Sequence, residues 1–119
     1  MSPINLTSSN FESTVADNAV VVDDFWASWC GPCRAFAPVF DRSAKSHPDV
    51  VHAKIDTEAE PEIAGALQIQ AIPTIMAFRD GVLVYRQPGA MPAAALEDLI
   101  AEIKALDMAD VRAKIATKR

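Results

Sequence analysis

VVVDDFWASWCGPC, residues 20–33, decides how this chain is read. Three valines run into two adjacent carboxylates, Asp23 and Asp24. A Phe-Trp pair follows, then two cysteines separated by Gly31-Pro32. A short apolar run of this kind reads as a buried strand. A strand covered on both faces need not alternate polar and apolar residues. Such cover makes charge costly. Successive side chains point to opposite faces, so Asp23 and Asp24 head into two different and largely dry layers.

The segments on either side supply that cover. Residues 4–6 fit a short edge strand. Ser9-x-x-Glu12 fits a capping box, which predicts a helix from about Ser9 to Val15. From Cys33 to Ser46 the apolar residues Phe36, Ala37, Val39 and Phe40 recur at helical spacing, with Pro38 inside the run. Pro38 cannot donate to the carbonyl of Arg34, so a kink is expected there. Residues 50–55 read as a second buried strand and 60–67 as a short helix. Residues 74–78 and 82–85 flank Asp80-Gly81, a strong two-residue hairpin signal. Pro92 opens a last long helix with Leu96, Leu99, Ile100, Ile103 and Leu106 on one face. The order β, α, β, α, β, α, β, β, α implies parallel pairing followed by an antiparallel hairpin. The expected fold class is α/β, with a mixed central sheet and helices on both faces.

The totals bound the function. A chain of 119 residues suffices for one domain with a real core. Half the residues are hydrophobic, yet no segment is long and apolar enough to span a membrane. A net charge of −5 without a basic patch argues against nucleic acid as a partner. MSPINLTSSNFES has neither the basic nor the apolar region of a secretory signal, although a processed mature form would look the same. Cys30 and Cys33 are the only cysteines, too few and too close for a disulfide-stapled secreted domain. A cytoplasmic protein with two working cysteines is expected.

Cys30 and Cys33 lie where a strand ends and a helix begins. Residues three apart on a helix have α-carbons roughly 5 Å apart, within the ~4.4–6.8 Å a disulfide needs. The pair can close and reopen with little backbone motion. Helix starts carry partial positive charge and unpaired N–H groups, and they favour thiolates. Gly31 admits another backbone, and Pro32 loses nothing in the first turn. Two other readings compete. One is a pair of structural core cysteines, which the polar, turn-rich surroundings disfavour. The other is zinc, because Cys30, Cys33, His47 and His52 formally match a two-Cys, two-His spacing. If 33–46 is helical, His47 lies about 20 Å along the axis from Cys33, and the four ligands cannot converge. No metal site is expected.

At DFWASWCGPC the chain resembles the thioredoxin family, over about residues 4–105. The resemblance rests on Trp29 before the first cysteine, the Gly31-Pro32 dipeptide, Pro38, Ile72-Pro73-Thr74, the Asp80-Gly81 hairpin and Gly89. It implies a thioredoxin fold over residues 1–106 and a protein-disulfide reductase. Cys30, the more exposed thiol, attacks a substrate disulfide, and Cys33 resolves the mixed disulfide. The register places the family's buried proton acceptor at Asp24 and its partner lysine at Lys54. Pro73 matches the family's cis-proline. Trp29, Gly31, Pro32, Ile72, Pro73, Gly89 and Ala90 should form an apolar substrate-binding patch, and Trp26 is expected to pack. The resemblance further implies no bound cofactor, disulfide-containing protein substrates, and electrons from a flavin-dependent thioredoxin reductase using NADPH. A monomer is expected. Within this fold a Gly-Pro dipeptide resembles the reducing members, whereas oxidases and isomerases more often carry a His there. The alternatives are therefore a thiol oxidase or isomerase, and a non-enzymatic docking module using the apolar patch.

Two features depart from the family pattern. Asp23 stands where a β-branched apolar residue is usual, and it is expected to reach water, a cation or a backbone donor. Residues 107–119 are additional. Met108, Val111 and Ile115 could form one stripe of a short helix with a basic end at Lys114, Lys118 and Arg119, or the segment could fray.

Overall fold

Strand β2 (Val20–Trp26) is the centre of the molecule, in a computed structural model that describes residues 2–117. Its first six residues are buried, both aspartates included. On one side it pairs in parallel with β3 (Val51–Asp56), which pairs in parallel with the short edge strand β1 (Ile4–Asn5). On the other side it pairs antiparallel with β4 (Thr74–Arg79), which forms a hairpin with β5 (Val82–Pro88). The sheet order is β1-β3-β2-β4-β5. Asp80 and Gly81 take φ of 51° and 79°, the two positive values that a tight hairpin of this twist requires.

Helices cover both faces. On one lie α1 (Phe11–Asp17) and α3 (Pro61–Ala66), whose Val15 and Ile63 pack on Val21, Phe25, Ala53, Ile55, Met76 and Phe78. On the other lie α2 (Gly31–Ser46) and α4 (Ala93–Ala105), whose Phe36, Phe40, Leu96 and Ile100 pack on Val20, Val22, Ile75 and Ala77. The period-two alternation along β2 therefore assigns the two acids. Asp23 shares its face with Val21 and Phe25, under α1 and α3. Asp24 shares its face with Val20 and Val22, under α2 and α4.

Several local expectations are corrected. Helix α1 begins at Phe11, and the Ser9–Glu12 capping box does not form. Ser9 instead sits hydroxyl to hydroxyl with Thr7 at 2.8 Å, and the Thr7 N–H donates to Asn10 Oδ1 at 2.7 Å. Local side-chain bonds have displaced the cap by competing with it. Helix α2 starts at Gly31, earlier than the apolar period alone indicates, and runs through Pro38. Pro38 and Arg34 are both exposed, so the carbonyl left without a donor faces water. Leu106 is not on the last helical turn. It adopts an extended conformation at the end of α4, where Arg79 donates to the carbonyls of Ile103 at 2.8 Å and Lys104 at 3.1 Å. Of the additional residues, Met108–Thr117 form α5, with Met108 buried and Arg112 3.9 Å from Asp80. Lys118 and Arg119 lie outside the described residues.

Candidate active site

The end of β2 delivers the chain to the N-terminus of α2, and Cys30 is the residue that caps that helix. Its Sγ accepts the backbone N–H of Cys33 at 3.2 Å and donates to the Ile72 carbonyl at 3.7 Å. The cap is thus a sulfur rather than the usual hydroxyl or carboxylate. It places that sulfur where the partial charge of the helix start favours an anion. Both cysteines are free. Cys30 was expected to be the more exposed thiol. Both are buried, Cys30 at 5% and Cys33 at 3%, and the Ile72 carbonyl before β4 lies against Cys30. Burial pushes the Cys33 thiol up to about 11, helped by its hydrogen bond with Cys30 and by the charge of Asp24.

The second wall is the 72–74 segment. Ile72-Pro73 is a cis peptide bond, and Pro73 is buried. The Gly89 N–H donates to the Pro73 carbonyl at 2.7 Å, which ties the end of β5 to the same corner. Gly89 has φ of 97°, a value that a side chain would strain. Trp29, Gly31, Pro32, Gly89 and Ala90 are exposed and Ile72 is half-buried. Trp29 is 66% exposed, an unusual amount for an indole.

One contact was not foreseen. The Trp29 indole N–H donates to Glu58 Oε1 at 2.7 Å. Glu58 is held in turn by Asp56, whose Oδ1 accepts the N–H groups of Glu58 and Ala59 at 2.9 and 3.3 Å. The turn that holds Glu58 was legible, since an Asp at the end of a strand followed by polar residues is an Asx-turn pattern, but its contact with Trp29 was not.

Beneath the cysteines lies Asp24, 0% exposed, with neither oxygen hydrogen-bonded. Burial raises it to about 7, opposed by the positive charge of Lys54. Lys54 is opposite Asp24 in the β2–β3 register. The two do not form the expected close ion pair. The ammonium instead sits over the Trp26 ring, 5.0 Å from its centroid. Lys54 is only half-buried, and a long stem lets the ammonium stay hydrated against an aromatic face. Asp23 is 0% exposed on the opposite face and also has no hydrogen-bond partner. The expected protein cation or backbone donor is therefore absent among the described residues. Burial first, and Asp24 second, raise it to about 8, so it holds its proton at neutral pH.

The two histidines of the zinc reading are occupied separately. His47 Nε2 lies 2.7 Å from Glu97 Oε2. His52 is buried in β3 beside Phe40, its Nε2 2.8 Å from Ser43 Oγ, and burial lowers its pKa. Among the described residues no cluster of three or more His, Cys, Asp or Glu could hold a metal ion.

A reactive thiol at a helix cap, a second thiol one turn further on and a buried carboxylate behind it define a dithiol–disulfide exchange protein. The family described as Thioredoxin matches residues 2–102. The Streptomyces coelicolor protein named "Putative thioredoxin 2" is 50% identical over 118 residues, covering 99% of this chain and 88% of its own. A thioredoxin of Alicyclobacillus acidocaldarius is 38% identical, covering 84% of this chain and 96% of its own. A solved mutant thioredoxin from Halobacterium salinarum superposes with a TM-score of 0.82 at 34% identity, covering 89% of this chain and 94% of that one. The chain belongs to the thioredoxin family. It is a thiol–disulfide oxidoreductase whose activity is protein-disulfide reduction by dithiol exchange. Family membership brings with it disulfide-containing substrates, a thioredoxin reductase as partner and no bound cofactor.

Proposed function

We propose that Cys30 is the attacking thiol, Cys33 the resolving thiol and Asp24 the proton acceptor of this reductase. The Cys30 thiolate attacks one sulfur of a substrate disulfide. A Cys30–substrate disulfide forms, and the first substrate thiolate leaves. Cys33 gives its proton to Asp24 and attacks Cys30 Sγ. The Cys30–Cys33 disulfide forms, the second substrate thiolate leaves, and two electrons have passed to the substrate. Asp24 fits this role because its raised pKa keeps its proton affinity near neutrality, where a general base works best.

Trp29, Gly31, Pro32, Ile72, Pro73, Gly89 and Ala90 receive the substrate. An extended segment lies along the Ile72 backbone as an added strand. Lys54 tunes Asp24 by charge across the register. Electrons come from a flavin-containing reductase that uses NADPH. The protein works in the cytoplasm as a monomer. No helix among the described residues is long and apolar enough to cross a membrane.

The observation that carries the reading is Cys30 Sγ at the α2 cap, held between the Cys33 N–H and the Ile72 carbonyl. Reduction of insulin disulfides with an electron donor tests it, together with the reduction potential of the pair. Turnover at a potential at or below the cytosolic thiol pool is expected. No turnover, or a potential well above that pool, contradicts it. Full function in a Cys30→Ser, Cys33→Ser double variant would favour a docking module instead.

A further inference from the structure

Among the described residues Asp23 is a fully buried carboxyl group that the exchange reaction leaves unused. No protein group among the described residues hydrogen-bonds it. The strand positions beside it are Ala53 on β3 and Met76 on β4. Val21 and Phe25 flank it along β2 on the same face. The ionisable groups on the two covering helices are Glu12 and Asp17 on α1 and Glu62 on α3, all exposed acids. Glu60, before α3, is engaged by the Ser8 N–H at 2.9 Å. Residues 1–33 and 55–78 hold no Lys, Arg or His, and the cation that β5 brings to this face, Arg86 in register with Met76, bonds the carbonyls of Leu67 at 2.6 Å and Gln68 at 2.8 Å. Lys54 belongs to the opposite face, with Asp24. The nearest charge of consequence to Asp23 is thus Asp24 itself, the next residue along the strand.

We propose that Asp23 is a positioning residue for the proton, acting on the thiol chemistry through Asp24 across the thickness of β2. The inference rests on Asp24 as the proton acceptor of Cys33. Two buried carboxyl groups on adjacent residues, with no hydrogen bonds to screen them, lose their protons as a coupled pair. At neutral pH Asp23 is protonated, and Asp24 ionises beside a neutral neighbour. At higher pH Asp23 ionises too. Its new charge raises the proton affinity of both Asp24 and the Cys33 thiol. Asp24 is the adjacent residue and shares the strand, so it feels the greater effect. Proton transfer from Cys33 to Asp24 is thereby made more favourable. The doubled acid makes Asp24 a stronger base in the alkaline range than it would be beside an apolar residue at position 23.

The test is the pH profile for resolution of a mixed disulfide on Cys30, followed in a single turnover from pH 6 to 9.5. The carboxyl carbon of Asp24 is read by NMR over the same range. Wild type is expected to show two inflections in both readouts. Asp23→Asn and Asp23→Val should each lose the upper inflection, and the added rate above it, while keeping the lower one. Asp23→Val suits a buried strand and serves if the Asn variant does not fold. An upper inflection that survives in the folded variants, or that wild type lacks, overturns the proposal. Failure of the underlying reading looks different: Asp24→Asn would then resolve at the wild-type rate, whatever the Asp24 carboxyl reports in the Asp23 variants.

Discussion

The two faces of β2 receive the same side chain and put it to different use. On the α2/α4 face, Asp24 lies behind Cys33 with a lysine in register across the sheet. On the α1/α3 face, Asp23 lies among Val21, Phe25, Ala53 and Met76, and the cation of that layer, Arg86, bonds the carbonyls of Leu67 and Gln68 instead. Both are fully buried and both lack hydrogen bonds. The difference lies in what each charge can meet. Under the proposed mechanism Asp24 exchanges its proton directly with the Cys33 thiol, whereas Asp23 has no thiol on its face and reaches the chemistry only through Asp24. A buried carboxylate acts directly where a second proton-exchanging group faces it, and otherwise through a neighbouring charge.

The largest expected effect breaks the comparison on the Asp24 side. Asp24→Asn should slow resolution at neutral pH by about 10²-fold, the low end for a positioned base. The fold should be retained, since the buried site loses an ionisable group and keeps its shape. Quenched-flow analysis of the mixed disulfide checks it, and an unchanged rate removes Asp24 from the mechanism.

The next effect breaks it on the Asp23 side. The folded-state pKa of Asp23 is raised from 3.8 to about 8, so the folded chain binds its proton more tightly than the unfolded chain. The stability linked to that proton is complete below the unfolded value. It is lost as pH rises through about 8. Asp24, raised to about 7, adds a loss of the same sign. Wild type should therefore become progressively less stable from about pH 4 to 8. Asp23→Val should stabilise the protein by roughly 2–4 kcal/mol at pH 8 and by less at pH 5. Urea unfolding at both values measures this. A gain that does not depend on pH would mean that Asp23 is already ionised in the folded chain at pH 5, its pKa not raised.

The smallest effect sharpens the comparison. Lys54→Met removes the one nearby charge that lowers Asp24, so the neutral-range midpoint of the resolution profile should move to higher pH. Thermal unfolding should change little, because the ammonium is only half-buried over Trp26. A midpoint that stays in place would show that Lys54 does not act on Asp24.

Much of this arrangement was legible in the sequence. Unbroken apolarity in residues 20–22 signals a strand covered on both sides, and Asp80-Gly81 marks the hairpin. The pleat alone separates Asp23 from Asp24. What was missed depends on side chains that meet only after folding. Ser9 could cap α1, but Thr7 is closer at hand. Lys54 is in register with Asp24, but the Trp26 ring competes for the ammonium. Glu58 reaches Trp29 across 29 residues of chain, which no local pattern encodes. For Asp23, chemistry predicted a partner, and only the assembled layer reveals that no protein group among the described residues bonds it.

The central claim is that β2 holds two unpartnered carboxyl groups of unequal role. Site-resolved carbon-13 titration of the Asp23 and Asp24 carboxyls in the reduced protein tests it most directly. Both should titrate far above 3.8, Asp24 near 7 and Asp23 near 8, with closure of the Cys30–Cys33 disulfide moving the Asp24 titration more. Titration of either carboxyl near 4, or a redox response centred on Asp23, would contradict the account.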